Sequence, residues 1–185
     1  MADNYLEKKM EEHRRGGIAK SNARRLTPSG DRLGTVSFRI EPLRIFVTDG
    51  SYDYATAIIC RLRAAGCKVA FFSEDEKNGR ELAQKSGARF YPASFSGCIF
   101  DDIAKVWGGL DGLVVTDGKM PETANVEELK RLIVVDNNPK LPLIENSDSL
   151  TVNGVNISGR CASDVAHLCL MLCLNASDCI NNTVM

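Results

Sequence analysis

From Leu43 onward the apolar positions alternate between short continuous runs and helical spacing. Ile45-Phe46-Val47 is too short a run for a helix, the turn-rich Thr48-Asp49-Gly50-Ser51 follows, and then Ala55, Ile58, Ile59 and Leu62 recur on one helical face. Strand, tight turn, helix is the opening of a βαβ unit. The pattern predicts a strand at 43–48 and a helix at 54–65 stopped by Gly66 at its C′ position. Residues 67–72, CKVAFF, read as a strand buried on both faces, as in a parallel sheet. A helix at 75–86 stopped by Gly87, a strand at 88–92, a helix at 97–107 ending at Gly108-Gly109 and a strand at 110–116 continue the alternation. Three repeats of the pattern predict an α/β fold of three layers, doubly wound on a parallel sheet ordered 3-2-1-4.

Beyond Gly118 the pattern loosens. Residues 125–137 predict a helix with Leu129, Leu132 and Ile133 facing the core and Pro139 and Pro142 bracketing its end. Asn153-Gly154 between alternating residues is the strongest short hairpin signal, and we read 150–157 as a hairpin or short antiparallel piece. Only six residues separate Ile144 from Thr151, fewer than the dozen or so of a parallel crossover. Ser163 and Asp164 are expected to cap a helix through Leu174, and 179–185 suits a last short strand. Before the alternation, 4–15 predicts a helix with Asn4 as N-cap, stopped by Gly16-Gly17, and 18–42 is polar, basic and loop-like with an extended piece at 35–40. The expected organisation is an arm, 1–42, followed by one domain, 43–185.

Charge sharpens that division. The net charge is −1, so no global field points to nucleic acid or membrane. Residues 1–44 hold ten Lys/Arg against six Asp/Glu, and the rest hold 13 against 18. We read a basic arm lying on an acidic body, its own or a partner's; without aromatic interleaving it does not read as a nucleic-acid binder. The charged start MADNYLEKKMEEHRR has no apolar core of a signal peptide, and no apolar run spans a bilayer, so a cytoplasmic location is expected. The seven cysteines, an odd number set mostly in apolar runs, read as buried free thiols. Cys169 and Cys173 share a helical face, but His167 does not, so the trio reads as core packing rather than a metal site. No metal site is expected.

The residues carry a resemblance as well. The stretch 43–62 resembles the first βα unit of the short-chain dehydrogenase/reductase family, T-G-x-x-x-G-x-G, with EKNGRELAQKSG (76–87) similar to its second helix and LDGLVVTDG (110–118) to its L-D-x-L-V-N-N-A-G. The resemblance covers most of 43–118 and 160–185 and implies a Rossmann-like fold. Aligned on Thr48, the three glycine positions fall on Asp49, Asp53 and Ala55, and only Gly50 survives beside the first. The motif's glycines let a pyrophosphate approach the backbone. Asp49 and Asp53 put like charge there instead, although both are also ordinary turn and N-cap residues. The ribose-holding acid falls at Ser73, followed by Glu74, and the adenine-contacting Asp at Ser94. Asn-Asn-Ala becomes Val115-Thr116-Asp117, with Gly118 retained. Val152-Asn153-Gly154-Val155 resembles the family's V-N-A-V-x-P-G strand, which competes with the hairpin reading above.

The family's catalysis, as the resemblance implies it, needs a serine and a Tyr-x-x-x-Lys pair. No tyrosine follows Tyr91, and Tyr5 with Lys9 has the spacing but precedes the glycine turn. His13 and His167 lie in different helices with no nucleophile beside them. After Gly118 the family pattern is shortened, with little room before Ser163 for a further strand and the catalytic helix. Three readings follow. The first is a non-catalytic protein of this likeness that assembles with itself, through 163–185, or with a full-length relative, and takes no cofactor. The second is an oxidoreductase with unusual residues using NAD or NADP. The third is a binder of another small ligand, with Ser51, Ser73 and Ser94 lining the nucleotide cleft. The positions matching that cleft are Asp49, Gly50, Ser51, Asp53, Ala55, Ser73, Ser94 and Gly118; no catalytic residue is assigned.

Overall fold

The computed structural model describes residues 42–123, 129–142, 150–173 and 181–185, all within the compact unit Arg39–Met185. The helix expected at 4–15, the extended piece at 35–40 and the Tyr5/Lys9 pair lie outside them. Seven strands form one sheet: β1 (Arg44–Val47), β2 (Lys68–Ser73), β3 (Arg89–Pro92), β4 (Gly112–Val115), β5 (Arg131–Asp136), β6 (Thr151–Asn156) and β7 (Thr183–Val184). Their order is β3-β2-β1-β4-β5-β6-β7, and each neighbouring pair is parallel. The expected order 3-2-1-4 is therefore its first half. Among the described residues four helices flank the sheet: α1 (Asp53–Ala64), α2 (Glu76–Ser86), α3 (Ile99–Trp107) and α4 (Ala162–Leu172).

The period-2 alternation of each strand divides the core in two. Ile45, Val47, Val69, Phe71, Val114, Ile133 and Val155 face α1, α2 and α4. Phe46, Ala70, Leu113, Val115, Leu132 and Val152 face the other way, toward Ile103 of α3 and the loop residues Leu129 and Leu150. The result is an α/β sandwich of three layers. Asp75 caps α2, its Oδ1 accepting from the N–H of Lys77 and Asn78 at 3.0 Å each. Gly87 and Gly108 end α2 and α3 with φ of 71° and 77°, a left-handed turn that glycine enters without a Cβ clash. At the N-terminal end of the sheet Arg44 grips Asp111 through Nε and Nη2 at 2.7 and 2.9 Å and reaches Trp107 O at 3.1 Å, tying β1 to the end of α3 and the start of β4.

Three expectations are corrected. Within the helix predicted at 125–137, Arg131–Asp136 is strand β5, where Arg131 to Val135 are all buried, and 125–128 lie outside the described residues. Leu129, Leu132 and Ile133 mimic helical spacing, but an unbroken Leu-Ile-Val-Val run with β-branched residues suits a strand covered on both faces. The hairpin at 150–157 is strand β6, parallel to β5 over its whole length. Its crossover starts after Asp136 and runs through 137–150, well before Ile144, and so has the length a parallel connection needs. Asn153-Gly154 is there for packing: a Cβ on Gly154 would stand 3.1 Å from Pro139 and from Val184, and the Asn153 side chain, 1% exposed, accepts from the Thr183 N–H at 3.2 Å. Finally, Cys161 is the N-cap of α4, without a side-chain bond, and Ser163 and Asp164 belong to its first turn. The sheet thus stays regular past β4; neither crossover, 116–130 or 137–150, contains a helix in its described part. No helix among the described residues is long and apolar enough to cross a membrane.

Candidate functional site

The sheet order reverses between β1 and β4, and in open α/β sheets a ligand crevice lies beyond the strand ends at such a point. Here β1 leads into the turn Thr48–Tyr52 and then α1. The turn is closed by its own groups. The Asp49 N–H donates to Thr116 Oγ1 at 3.0 Å, and Thr116 Oγ1 donates back to Asp49 O at 2.8 Å. The Gly50 N–H donates to Phe72 O at 2.7 Å. The Ser51 N–H donates to Asp49 Oδ1 at 2.8 Å, an Asx turn. The amides of Asp49, Gly50 and Ser51 are thus all engaged within the protein.

Across the reversal, Thr48 Oγ1 accepts from the Thr116 N–H and donates to Asp117 Oδ1, each at 3.0 Å, and Tyr54 Oη donates to Thr116 O at 2.7 Å. Asp49, Asp117 and Asp136 follow or close the ends of β1, β4 and β5. Their field is felt at Tyr54, whose phenol is pushed well above its ordinary range, first by burial, then by Tyr52 and by these three carboxylates. The rings of Tyr52 and Tyr54 stack at 5.1 Å, with Tyr52 41% exposed.

Two hollows flank the turn. One, of about 290 Å³ between α1 and α2, brings together Gly50, Ser51, Asp53 and Ser73 with Asp75 and Lys85. Within it the Ser51 and Ser73 hydroxyls lie 3.0 Å apart. The other, of about 410 Å³ on the opposite face, is walled by Phe46, Phe72, Ile99, Phe100 and Met120 and edged by Asp117.

The remaining sequence candidates are placed elsewhere. Ala55 is fully buried in the core beneath α1. Ser94 is exposed and donates to Glu76 Oε1 at 2.7 Å, lining neither hollow. Gly118 has a φ of 69°, and a Cβ there would lie 3.5 Å from Asp136 Oδ2. Asp53 is the first residue of α1, and its N-cap is Tyr52, not an aspartate. Gly50 is held by packing: a Cβ would sit 2.5 Å from the Phe71 ring, which itself rests on Phe90 with centroids 5.4 Å apart.

Tyr54, Phe71 and Lys119 were not singled out by sequence reasoning. The signal for the first existed, since Tyr54 lies in the first turn of the helix that the glycine turn feeds. Of the described cysteines, Cys67, Cys169 and Cys173 are buried as expected, but Cys60 and Cys98 are half-buried and Cys161, at the N-cap of α4, is exposed, so the thiols are not all core residues. Cys169 and Cys173 are buried, burial pushes the Cys173 thiol up to about 12, and His167 is exposed with Nδ1 2.8 Å from Ser163 O. No group of three or more His, Cys, Asp or Glu suited to a metal occurs among the described residues.

No protein-family model matches the chain, and no curated protein matches its sequence. Its fold is nevertheless that of solved short-chain dehydrogenases/reductases. BdcA (YjgI) from E. coli superimposes with a TM-score of 0.60 at 16% identity over 80% of this chain and 98% of that one. BdcA in complex with NADPH gives 0.57 at 15%, over 79% and 93%. A short-chain dehydrogenase/reductase from Serratia marcescens gives 0.55 at 15%, over 78% and 97%. Ribose-5-phosphate isomerase from Brucella melitensis gives 0.59 at 10%, over 81% and 92%. At these identities the likeness is one of fold, and the last shows the same layout serving a different chemistry.

Proposed function

We propose that this is a non-catalytic protein of the short-chain dehydrogenase/reductase fold, which binds no dinucleotide at its β1–α1 turn and acts through assembly or through binding another molecule. The observation that carries the reading is the Asp49 carboxylate bonded to the Ser51 N–H. It occupies a backbone donor with the protein's own negative charge, where a pyrophosphate would need both the donor and the room. Asp117 and Asp136 add like charge along the same edge, and Asp53 opens α1.

The proton chemistry supports the same reading. Tyr54 is the tyrosine beside the reversal, and its surroundings raise its pKa, whereas a general acid/base works best with a pKa near the operating pH. Its hydroxyl is committed to the Thr116 carbonyl rather than to a lysine.

A second reading, an NAD(P)-dependent oxidoreductase with unusual residues, draws support from BdcA, which holds NADPH on the same fold. Calorimetric titration of the full chain with NAD and NADPH separates the two. The first predicts no heat of binding at micromolar concentrations and no hydride transfer; saturable micromolar binding supports the second.

A further inference from the structure

The hollow between β1, β4 and the start of α3 has rigid aromatic walls. Phe46 is 2% exposed, and the Phe100 ring meets it edge-on with centroids 5.2 Å apart at 69°. Phe72 and Met120 complete the apolar lining. Its volume, about 410 Å³, falls in the range of small-molecule sites, roughly 300–1,000 Å³.

We propose that this hollow binds a small, flat aromatic molecule that is neutral or positively charged and carries no phosphate. The inference rests on the reading that the β1–α1 turn holds no dinucleotide. The aromatic class follows from the walls, since a further ring gains edge-to-face or offset-stacked contact with Phe46, Phe72 and Phe100. The polar contact is Asp117. Its hydrogen bonds from Thr48 Oγ1 at 3.0 Å and from the Lys119 N–H at 3.2 Å both go to Oδ1, which leaves Oδ2 for a donor on the ligand. The charge preference follows from the sheet edge: the hollow's own lining pairs Asp117 with Lys119, and Asp49 and Asp136 stand beyond it at the ends of β1 and β5. The start of α3, which also meets the hollow, carries Asp101 in its first turn, while Asp102 there is committed to Arg89 and Tyr91. An anionic ligand enters against this field; a cation or neutral ring does not.

Cys98 lines the hollow and is half-buried, whereas Cys161 is exposed at the start of α4, so the two thiols give a signal and an internal reference. The experiment is iodoacetamide alkylation of the full chain, read peptide by peptide by mass spectrometry. It is run with three indoles that differ in charge: tryptophol (neutral), tryptamine (cation) and indole-3-propionate (anion). Tryptophol and tryptamine at millimolar concentration are expected to slow Cys98 and leave Cys161 unchanged. Indole-3-propionate is expected to need about tenfold more for the same protection, the effect of one poorly screened like charge. Ile99→Trp, which fills the hollow from the first turn of α3, should abolish protection while a thermal melt shows the fold intact. Equal slowing of Cys98 and Cys161, no slowing by any indole, or tightest protection by the anion would each overturn the proposal. Failure of the indoles without NADPH protection overturns this proposal alone. Protection of Cys98 by micromolar NADPH overturns the dinucleotide-free reading beneath it as well.

Discussion

Gly50 is the glycine of the turn, and its neighbours say that packing, not a ligand, keeps it. The perturbation is Gly50→Ala. Gly50 is not among the positive-φ glycines, so alanine meets no backbone penalty there. Its Cβ would instead stand 2.5 and 3.0 Å from two atoms of the Phe71 ring, and Phe71 is fully buried against Phe90. Overpacking a tight core costs about 1–3 kcal/mol, and a contact this short on a ring that cannot turn away belongs in the upper half, about 2–3 kcal/mol. For a chain of this size that lowers the melting midpoint by roughly 4–12 °C. The cost should be relieved in the Phe71→Leu background, with a coupling of about 1–2 kcal/mol in the double-mutant cycle. Thermal and urea melts of the four proteins give the cycle. An unchanged midpoint for Gly50→Ala, or additive costs in the double variant, would refute the packing explanation and return the glycine to a ligand role.

Three further outcomes follow from the same structure. Arg44 holds the Asp111 carboxyl at about 2, below its ordinary 3.8. A depressed folded pKa contributes stability that is present above about pH 5 and lost as the pH falls toward 2, here up to about 2 kcal/mol; Asp111→Asn should remove it and flatten that acid limb in urea melts. Spectrophotometric titration should find Tyr54 and Tyr91 ionising above the ordinary phenol range, and Tyr54→Phe should delete one of those late steps. Self-association through α4 and β7, where Met171 and Val184 are 55% and 49% exposed, predicts a mass above the monomer in sedimentation at micromolar concentration and a shift toward monomer on Met171→Glu.

The layout of β1 to β4 and the first three helices was legible because each apolar run is short, each helix is amphipathic and each stop is a glycine. The second half was not, for identifiable reasons. β5 is apolar on both faces, so its Leu-Ile-Val-Val run carries no period, and Leu129 extended it into a false helical stripe. In β6 an Asn-Gly pair that usually marks a turn is used inside a strand, the glycine because Pro139 and Val184 crowd it and the asparagine because its side chain pins β7. At the site, the carboxylates of the turn were visible in the sequence but their direction was not. That Asp49 bends back to Ser51, and that Thr116 takes the Asp49 amide, depends on a partner strand far along the chain. The apolar hollow was likewise hidden, since Phe46, Phe72 and Phe100 come from three separate elements.

The central claim is that the turn is closed to a dinucleotide by Asp49. Its most direct test is NADPH affinity measured side by side for the wild-type chain and Asp49→Gly. The substitution frees the Ser51 N–H and removes one carboxylate, worth up to about 3 kcal/mol at ~5–6 Å from a phosphate in an effective dielectric near 20. Ala55, wholly buried, is left in place because glycine there would cost α1 about 1 kcal/mol for no gain in access. The expected result is no wild-type binding at micromolar NADPH and a gain of roughly ten- to a hundredfold in the variant. Micromolar binding by the wild-type chain, unchanged or weakened in Asp49→Gly, would contradict the claim.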